Sequence, residues 1–268
     1  TRRSGPLKSV VAGIAGAGQA DHSERIGRAL LSAVGTPRAL VTHDLAALFY
    51  ANFGRKPGVL AIAGTGSSVM GQNAAARFVR MGGRGPLFGD GGSAYGLAVA
   101  GLRAAAAAVD GTGPLTRLTE ALVARAGVRA FEDLVPLLSQ KGKRSVAALA
   151  PTVTECADDA VARTCIVGQA GILARLVASA AARLELAHPV SLLLHGGLLT
   201  NSNVFREAFT EQLAGLAPTA PLSTPVLDGH RAAFELTRLN PLPQVVIEIF
   251  ATNAAALLPT EERIAGGG

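Results

Sequence analysis

Residues 59–93 read VLAIAGTGSSVMGQNAAARFVRMGGRGPLFGDGGS, and this stretch contains three glycine-rich turns, each followed by a hydroxyl or carboxylate side chain. The apolar residues 59–63 are typical of a buried strand. In the turn that follows, residues 64–67, glycine leaves backbone amides accessible, and successive amides of this kind form an anion-binding nest. The Thr65 and Ser67 hydroxyls can add donors for a phosphate or for a hydrated metal ion carried by it. The alternative for this turn alone is a simple tight hairpin, because short glycine motifs are weak signals.

An acidic residue stands at the end of a second predicted strand. Residues 39–42 form a short apolar run, and His43 and Asp44 follow it before the helix-like segment 45–53. Ligand sites of open α/β sheets lie at the carboxyl ends of the strands. Asp44 is therefore a candidate general base for phosphoryl transfer, which needs a carboxylate near the acceptor hydroxyl. The alternative role for Asp44 is a helix cap, and His43 is placed to tune the carboxylate or to touch a substrate.

Five segments in order along the chain resemble one known family. They are VVAGIAGAG from Val10, VTHDLAAL from Val41, AGTGSS from Ala63, GGRGPLFGDGGSAYGLA from Gly82 and LLLHGGLL from Leu192. Together they resemble the N-acetylglucosamine kinases of the BadF/BadG/BcrA/BcrD-type ATPase family, within the actin, Hsp70 and sugar kinase superfamily. The resemblance implies an α/β fold of the actin-like ATPase (ribonuclease H-like) type, in which two lobes close over ATP and a sugar.

The resemblance also implies a role for each matching residue. Asp44 is expected to be the base that takes the proton from the sugar 6-hydroxyl. The expected second phosphate loop is Gly64, Thr65, Gly66 and Ser67, and the turn beneath the adenosine is Gly196, Gly197 and Leu198. The residues expected to face the sugar are Ser68, Gly83, Arg84, Gly85 and Asp90. The implied cofactors are ATP and Mg²⁺, with the metal ion carried by the ATP phosphates and not by protein ligands.

The chain departs from the family pattern in its first residues. The family's first phosphate loop, of the type DGGGTKT, has no counterpart after Thr1. We therefore expect a fragment with an incomplete N-terminal lobe, little kinase activity from residues 1–268 alone, and poor solubility. The alternatives are a degenerate family member that binds an amino sugar without catalysis and, less favoured, an iron-sulfur activator ATPase.

Two further departures fall within the expected sugar pocket. Arg84 stands where the family usually has tryptophan, and Gly91 stands where it usually has glutamate. A tryptophan offers an apolar face to a sugar ring, whereas an arginine offers charge and a fork of donors suited to a carboxylate or phosphate. A more anionic acceptor than N-acetylglucosamine is one interpretation, and an Arg84 side chain that lies in solvent is the other.

The predicted domain organisation follows the motifs. Residues 1–57 form the remainder of the N-terminal lobe, to which part of 225–240 returns, and residues 58–224 form the C-terminal lobe. Residues 241–268 are a tail of unknown role that includes a possible strand at 244–250. The C-terminal lobe is predicted to be helix-rich, with helices over 93–109, 115–126, 131–138, 145–186 and 203–213. Ser93 is the expected cap of the first of these helices, whose amino end would favour an anion at the GDGGS turn, and Gly168 and Gly171 are expected to interrupt the long stretch.

Composition bears on partners and location. The net charge of +6 could indicate nucleic-acid binding, but the arginines are dispersed, aromatic residues are 4% of the chain and tryptophan is absent. The longest uncharged stretch, 57–76, is broken by glycine and polar residues and is a poor membrane span. We therefore expect a cytoplasmic homodimer that binds a small amino sugar and neither nucleic acid nor membrane.

Cys156 and Cys165 have no partner at metal-ligand spacing, which predicts packing roles in a reducing compartment.

Overall fold

A computed structural model of the chain describes residues 7–14, 20–219, 221–224, 236 and 247–250. In chain order its strands and helices are β1 (Val10–Gly13), α1 (Ala20–Val34), β2 (Arg38–Thr42), α2 (Asp44–Phe53), β3 (Gly58–Ala63), β4 (Ser67–Gln72), β5 (Phe78–Gly82), α3 (Gly85–Phe88), α4 (Ala94–Val109), α5 (Leu118–Ala126), a 3₁₀ turn (Phe131–Asp133), α6 (Leu134–Ser139), α7 (Lys143–Ala147), α8 (Ala150–Glu155), α9 (Ala160–Arg183), β6 (Leu192–His195), α10 (Gly197–Asn201), α11 (Asn203–Ala214) and β7 (Ile247–Phe250). The chain divides into two units, Thr1–Gly54 with Val226–Gly268, and Arg55–Pro225.

The first unit contains a three-stranded sheet in the order β1-β2-β7. The central strand β2 is parallel to β1 and antiparallel to β7. Its residues Ala39, Leu40 and Val41 are fully buried, as the apolar run at 39–42 predicts. The strand predicted within 244–250 is present as β7, so part of the region predicted to be a tail is a member of this sheet. The predicted incompleteness of the N-terminal lobe stays a prediction.

The second unit contains a four-stranded sheet in the order β5-β4-β3-β6. The central strand β3 is antiparallel to β4 and parallel to β6, so the carboxyl ends of β3 and β6 lie at the same edge. Val59, Leu60 and Ala61 in β3 are fully buried because both faces of the sheet are covered. The main core packs these strands with α4, α9 and α11. This sheet therefore brings the turns after β3 and β6 together.

The helix-rich character predicted for this part of the chain is confirmed, but one predicted detail is wrong. Helix α9 runs without a break through Gly168 and Gly171, which were expected to interrupt it. Gly171 lies against Gln212 of α11, where an added Cβ would be 3.2 Å from the Gln212 amide oxygen, so this glycine permits close helix packing. The break lies earlier, at Asp159, whose carboxylate accepts hydrogen bonds from the Val161 and Ala162 amides.

Helix α9 is long and apolar enough to span a membrane by length and composition. Its buried residues include Ile166, Leu173 and Val177, which are fully buried in the main core of the second unit. The interior helix of a folded domain has the same composition. The hydropathy of α9 is therefore accounted for by packing within this unit.

Candidate functional site

Two glycine-containing turns meet at the edge of the second sheet where β3 and β6 end. We call Gly64, Thr65 and Gly66 the hairpin turn, and Gly196 and Gly197 the β6 turn. Gly196 has φ 96°, and a Cβ built on it would lie 2.5 Å from the Ala63 carbonyl oxygen and 2.8 Å from the Gly64 nitrogen. Only glycine adopts this conformation readily and leaves room for the facing backbone. The two turns are therefore in direct backbone contact.

A cavity of about 770 Å³ opens beside the two turns, within the size range of small-molecule sites. It brings together Gly64 and Thr65, predicted to bind phosphate, with Gly197 and Leu198, predicted to lie beneath the adenosine. The other lining residues come from the starts and ends of helices, namely Ala94, Arg144, Ala147, Ala148, Ala150, Pro151, Thr154, Glu155, Asn201, Ser202, Asn203 and Val204. The sequence KGKR at 141–144 is a local cluster of positive charge that could have pointed to Arg144.

The hairpin turn connects β3 and β4, so the tight-hairpin interpretation of the sequence is the geometry that forms. The Gly64 amide donates to the Gly66 carbonyl over 2.9 Å. The Gly64 and Thr65 carbonyls accept bonds from the Ala94 and Tyr95 amides at the start of α4. Among the hydrogen bonds between described residues, none uses the Thr65 or Gly66 amide. Among the described residues, only two amides of the predicted nest, those of Thr65 and Gly66, are therefore left to donate to an anion.

The two serines after the hairpin turn are buried and bonded to the protein. The Ser67 hydroxyl donates to the Gly91 carbonyl over 2.6 Å, and the Ser68 hydroxyl donates to the Met81 carbonyl over 3.0 Å. Both serines lie in β4, where their side chains meet the neighbouring strand or turn. Ser67 was expected to donate to phosphate and Ser68 to face the sugar, but in this structure both hydroxyls hold the protein backbone.

Asp90 is a buried carboxylate in a strained position. Its side chain is 3% exposed and its φ is 62°, which is uncommon for a residue other than glycine. One carboxylate oxygen accepts from the Ser67 amide, and the other lies 2.5 Å from the Lys143 ammonium. No local sequence pattern identifies Lys143 as the partner of Asp90, since 53 residues separate the two side chains. Asp90 is predicted to face the sugar, but both of its carboxylate oxygens already have protein partners.

The glycine-rich segment before Asp90 exposes its arginine. Gly83 and Gly85 have φ 65° and 81°, and Arg84 between them is exposed at the start of α3. An exposed Arg84 is compatible with both interpretations, because a side chain at the surface can lie in solvent or donate to an anionic ligand. A Cβ on Gly91 would lie 2.9 Å from the side chain of Ile172 in α9. A side chain at position 91 would therefore have to displace Ile172, and glycine avoids this contact.

Asp44 lies in the first unit, at the first position of α2. The cap of this helix is His43, whose Nδ1 accepts a hydrogen bond from the Ala46 amide over 3.3 Å. The Asp44 carboxylate accepts from the adjacent Leu45 amide and is exposed. Gly13, at the end of β1, lies against the Asp44 backbone. The capping role considered for Asp44 thus falls to His43, and the Asp44 carboxylate stays accessible at a strand end.

Ser93 is confirmed as the cap of α4, and its position predicts a measurable loss on substitution. The Ser93 side chain is fully buried, accepts from the Gly96 amide and donates to the Asp90 carbonyl over 2.5 Å. Ser93→Ala removes both bonds and is expected to lower the free energy of unfolding by about 1–3 kcal/mol. Urea denaturation measures the change. The exposed Ser139→Ala is the control and should shift the value by less than about 0.5 kcal/mol.

The two cysteines of the second unit pack in its helical part. Cys156 is buried and Cys165 is partly buried, and burial raises the pKa of the Cys165 thiol. Across the described ranges, no group of three His, Cys, Asp or Glu side chains is placed to hold a metal ion. Both cysteines pack with the main core.

Comparison with known proteins gives three consistent findings. A sequence profile of the BadF/BadG/BcrA/BcrD ATPase family matches residues 4–232. An N-acetylmuramic acid/N-acetylglucosamine kinase of Clostridium acetobutylicum is 27% identical over 147 residues, which are 54% of this chain and 48% of the relative. An N-acetyl-D-glucosamine kinase of Dictyostelium discoideum is 29% identical over 187 residues, 67% of this chain and 59% of the relative. The chain thus spans about half of the length of the curated relatives it matches.

The solved structures establish the fold. A protein from Chromobacterium violaceum described as a candidate N-acetylglucosamine kinase superposes with a TM-score of 0.68 at 20% identity, covering 85% of this chain and 74% of that protein. The predicted actin-like ATPase fold is thereby confirmed.

Proposed function

Because the chain belongs to the BadF/BadG/BcrA/BcrD ATPase family, we propose that it acts in the phosphorylation of a sugar by ATP. The acceptor that we propose is the 6-hydroxyl of N-acetylglucosamine or of a related amino sugar. The names of the relatives from Clostridium acetobutylicum and Dictyostelium discoideum support this class of acceptor.

One observation carries the nucleotide part of the proposal, the cavity beside the two turns. The hairpin turn offers the Thr65 and Gly66 amides, and the cavity is lined by Gly64 and Thr65 on one side and by Gly197 and Leu198 on the other. Backbone amides without a protein acceptor can donate to phosphate oxygens. A turn of glycines leaves space beside the backbone, in which an adenosine can lie. We assign the phosphates to the hairpin turn and the adenosine to the β6 turn.

The residues present also suit a magnesium ion that arrives with ATP. Mg²⁺ prefers oxygen ligands, keeps several waters and is commonly held through substrate phosphates. The Thr65 hydroxyl and the Glu155 carboxylate at the cavity can receive its bound waters. When bound, the ion neutralises charge on the phosphate oxygens. In this assignment the protein contacts the ion only through its bound waters, and the direct ligands come from ATP and water.

The proposed chemical step assigns the base to Asp44. As the new bond between the sugar oxygen and phosphorus forms, Asp44 accepts the proton of the acceptor hydroxyl, and the bond to the ADP oxygen breaks. The position of Asp44 supports this role, because its carboxylate is exposed just beyond the end of β2. We place the acceptor near the segment of Gly83, Arg84 and Gly85. The exposed Arg84 favours an acceptor that carries a carboxylate, of the kind in the name of the Clostridium acetobutylicum relative.

The test is a coupled assay of ADP release by the intact protein with ATP and a panel of sugars. The panel contains N-acetylglucosamine, N-acetylmuramic acid, glucosamine and glucose. We expect release above the sugar-free rate with at least one of the two N-acetyl sugars, and none with 6-deoxy-N-acetylglucosamine. Binding of ATP and sugar without any phosphorylated product would refute the kinase assignment and leave a sugar-binding protein.

A further inference from the structure

Lys143 lies at the hairpin turn, beside Gly66 and Asp90. It is the first residue of α7, and its side chain is 30% exposed. Its ammonium is 2.5 Å from an Asp90 carboxylate oxygen and 5.9 Å from the centre of the Tyr95 ring. A Cβ built on Gly66 would lie 2.8 Å from this ammonium and 2.6 Å from the other Asp90 oxygen. Gly66 therefore packs directly on the ion pair.

Without Lys143, Asp90 would place an unneutralised negative charge beside the hairpin turn. Its carboxylate is held beside the hairpin turn by the Ser67 amide, at a position with 3% exposure. A buried negative charge beside the Thr65 and Gly66 amides would repel any phosphate that those amides bind, since screening by solvent is weak there. The Lys143 ammonium is the one cation that the described residues place in contact with this carboxylate.

We propose that Lys143 makes the hairpin turn able to bind phosphate by neutralising Asp90. Lys143 acts here as a positioning residue, because its effect on the phosphate runs through the charge and placement of Asp90. Arg144, the next residue, lines the cavity itself and adds to the positive charge at this side. The inference rests on the proposed function in one respect, the placement of the ATP phosphates at the hairpin turn.

The experiment compares ATP and adenosine binding, by calorimetry without sugar, in the intact wild-type protein and four variants. Lys143→Met is expected to lower the ATP affinity about tenfold or more and to change the adenosine affinity less than about twofold. Lys143→Arg keeps the charge and should bind ATP within about threefold of the wild-type affinity. The double variant Asp90→Asn/Lys143→Met removes both charges and should recover most of the loss. Lys141→Met, at an exposed neighbouring lysine, is the matched control.

A role of Lys143 in stability alone gives a different pattern. In that case Lys143→Met would weaken ATP and adenosine binding to the same extent, or the double variant would bind ATP no better than the single one, and either result overturns the inference. Absence of ATP binding by the wild-type protein overturns it together with the proposed nucleotide site. If the ATP pattern appears but no sugar is phosphorylated, the inference stands and the proposed kinase reaction fails. Melting temperatures of all variants, measured in parallel, identify any variant that has unfolded.

Discussion

Asp44→Asn in the intact protein is expected to lower kcat for sugar phosphorylation by about 10²–10⁴-fold and to leave ATP affinity within about twofold. Asparagine has nearly the same shape, and its side-chain oxygen can still accept from the Leu45 amide, as the carboxylate does over 2.9 Å. What it loses is the ability to take a proton. The loss should therefore appear in kcat at saturating sugar, measured by ADP release.

A control variant separates catalysis from folding in Asp44→Asn. The carboxylate of Asp44 lies in the first turn of α2, where a negative charge contributes about 0.3–1 kcal/mol through the helix dipole. Asp21→Asn removes an equivalent first-turn charge from α1 and should match Asp44→Asn in stability while keeping normal kcat. If Asp44→Asn turns over at the wild-type rate, Asp44 has no part in the mechanism.

Gly196→Ala is expected to abolish ATP binding and to destabilise the second unit by about 3–5 kcal/mol. The cost combines a left-handed φ of 96° for a residue with a side chain and a Cβ placed 2.5 Å from the Ala63 carbonyl oxygen. The atom in the way is the Ala63 carbonyl oxygen, part of the backbone of the central strand β3, and backbone cannot rotate aside as a side chain can. Either β6 shifts from β3 or the turn unwinds, and both changes separate the hairpin turn from the β6 turn.

Thermal unfolding and ATP calorimetry measure this effect, and a second glycine provides the comparison. Gly168 lies within α9, and a Cβ at that position would contact nothing within 4 Å. Gly168→Ala should raise stability by about 0.5–1 kcal/mol, because alanine is the better helix former. A Gly196→Ala protein that folds with the wild-type melting temperature and binds ATP normally would show that the close contact of the two turns is not required.

The sequence could predict those parts of the fold in which one residue type is physically required. The buried strand β3 follows from an apolar run, and Gly196 stands in a turn where no larger residue fits. The Ser93 cap was predictable for the same reason, because a serine before an apolar helix satisfies a free amide. The family resemblance extended these local expectations to the whole actin-like fold.

The remaining details depend on contacts between distant parts of the chain. The pairing of Lys143 with Asp90 exists only because α7 packs beside the hairpin turn, and no local pattern encodes it. Propensity favours Asp44 over His43 as a cap, but the chain enters α2 one residue earlier. The continuity of α9 through Gly168 and Gly171 is set by the surrounding core, which outweighs the low helix propensity of glycine. The directions of the Ser67 and Ser68 hydroxyls likewise depend on neighbouring strands and turns.

The bonds between the hairpin turn and α4 connect the helix to the two free amides. The Gly64 carbonyl shares a peptide group with the Thr65 amide, and the Thr65 carbonyl shares one with the Gly66 amide. Each carbonyl accepts a bond from the first turn of α4, through Ala94 and Tyr95. A peptide group whose oxygen is engaged in this way becomes more polarised, and its N–H becomes a stronger donor. In the proposed phosphate site, helix α4 therefore strengthens the donors that hold the anion, through two intervening peptide groups and without contacting the anion itself.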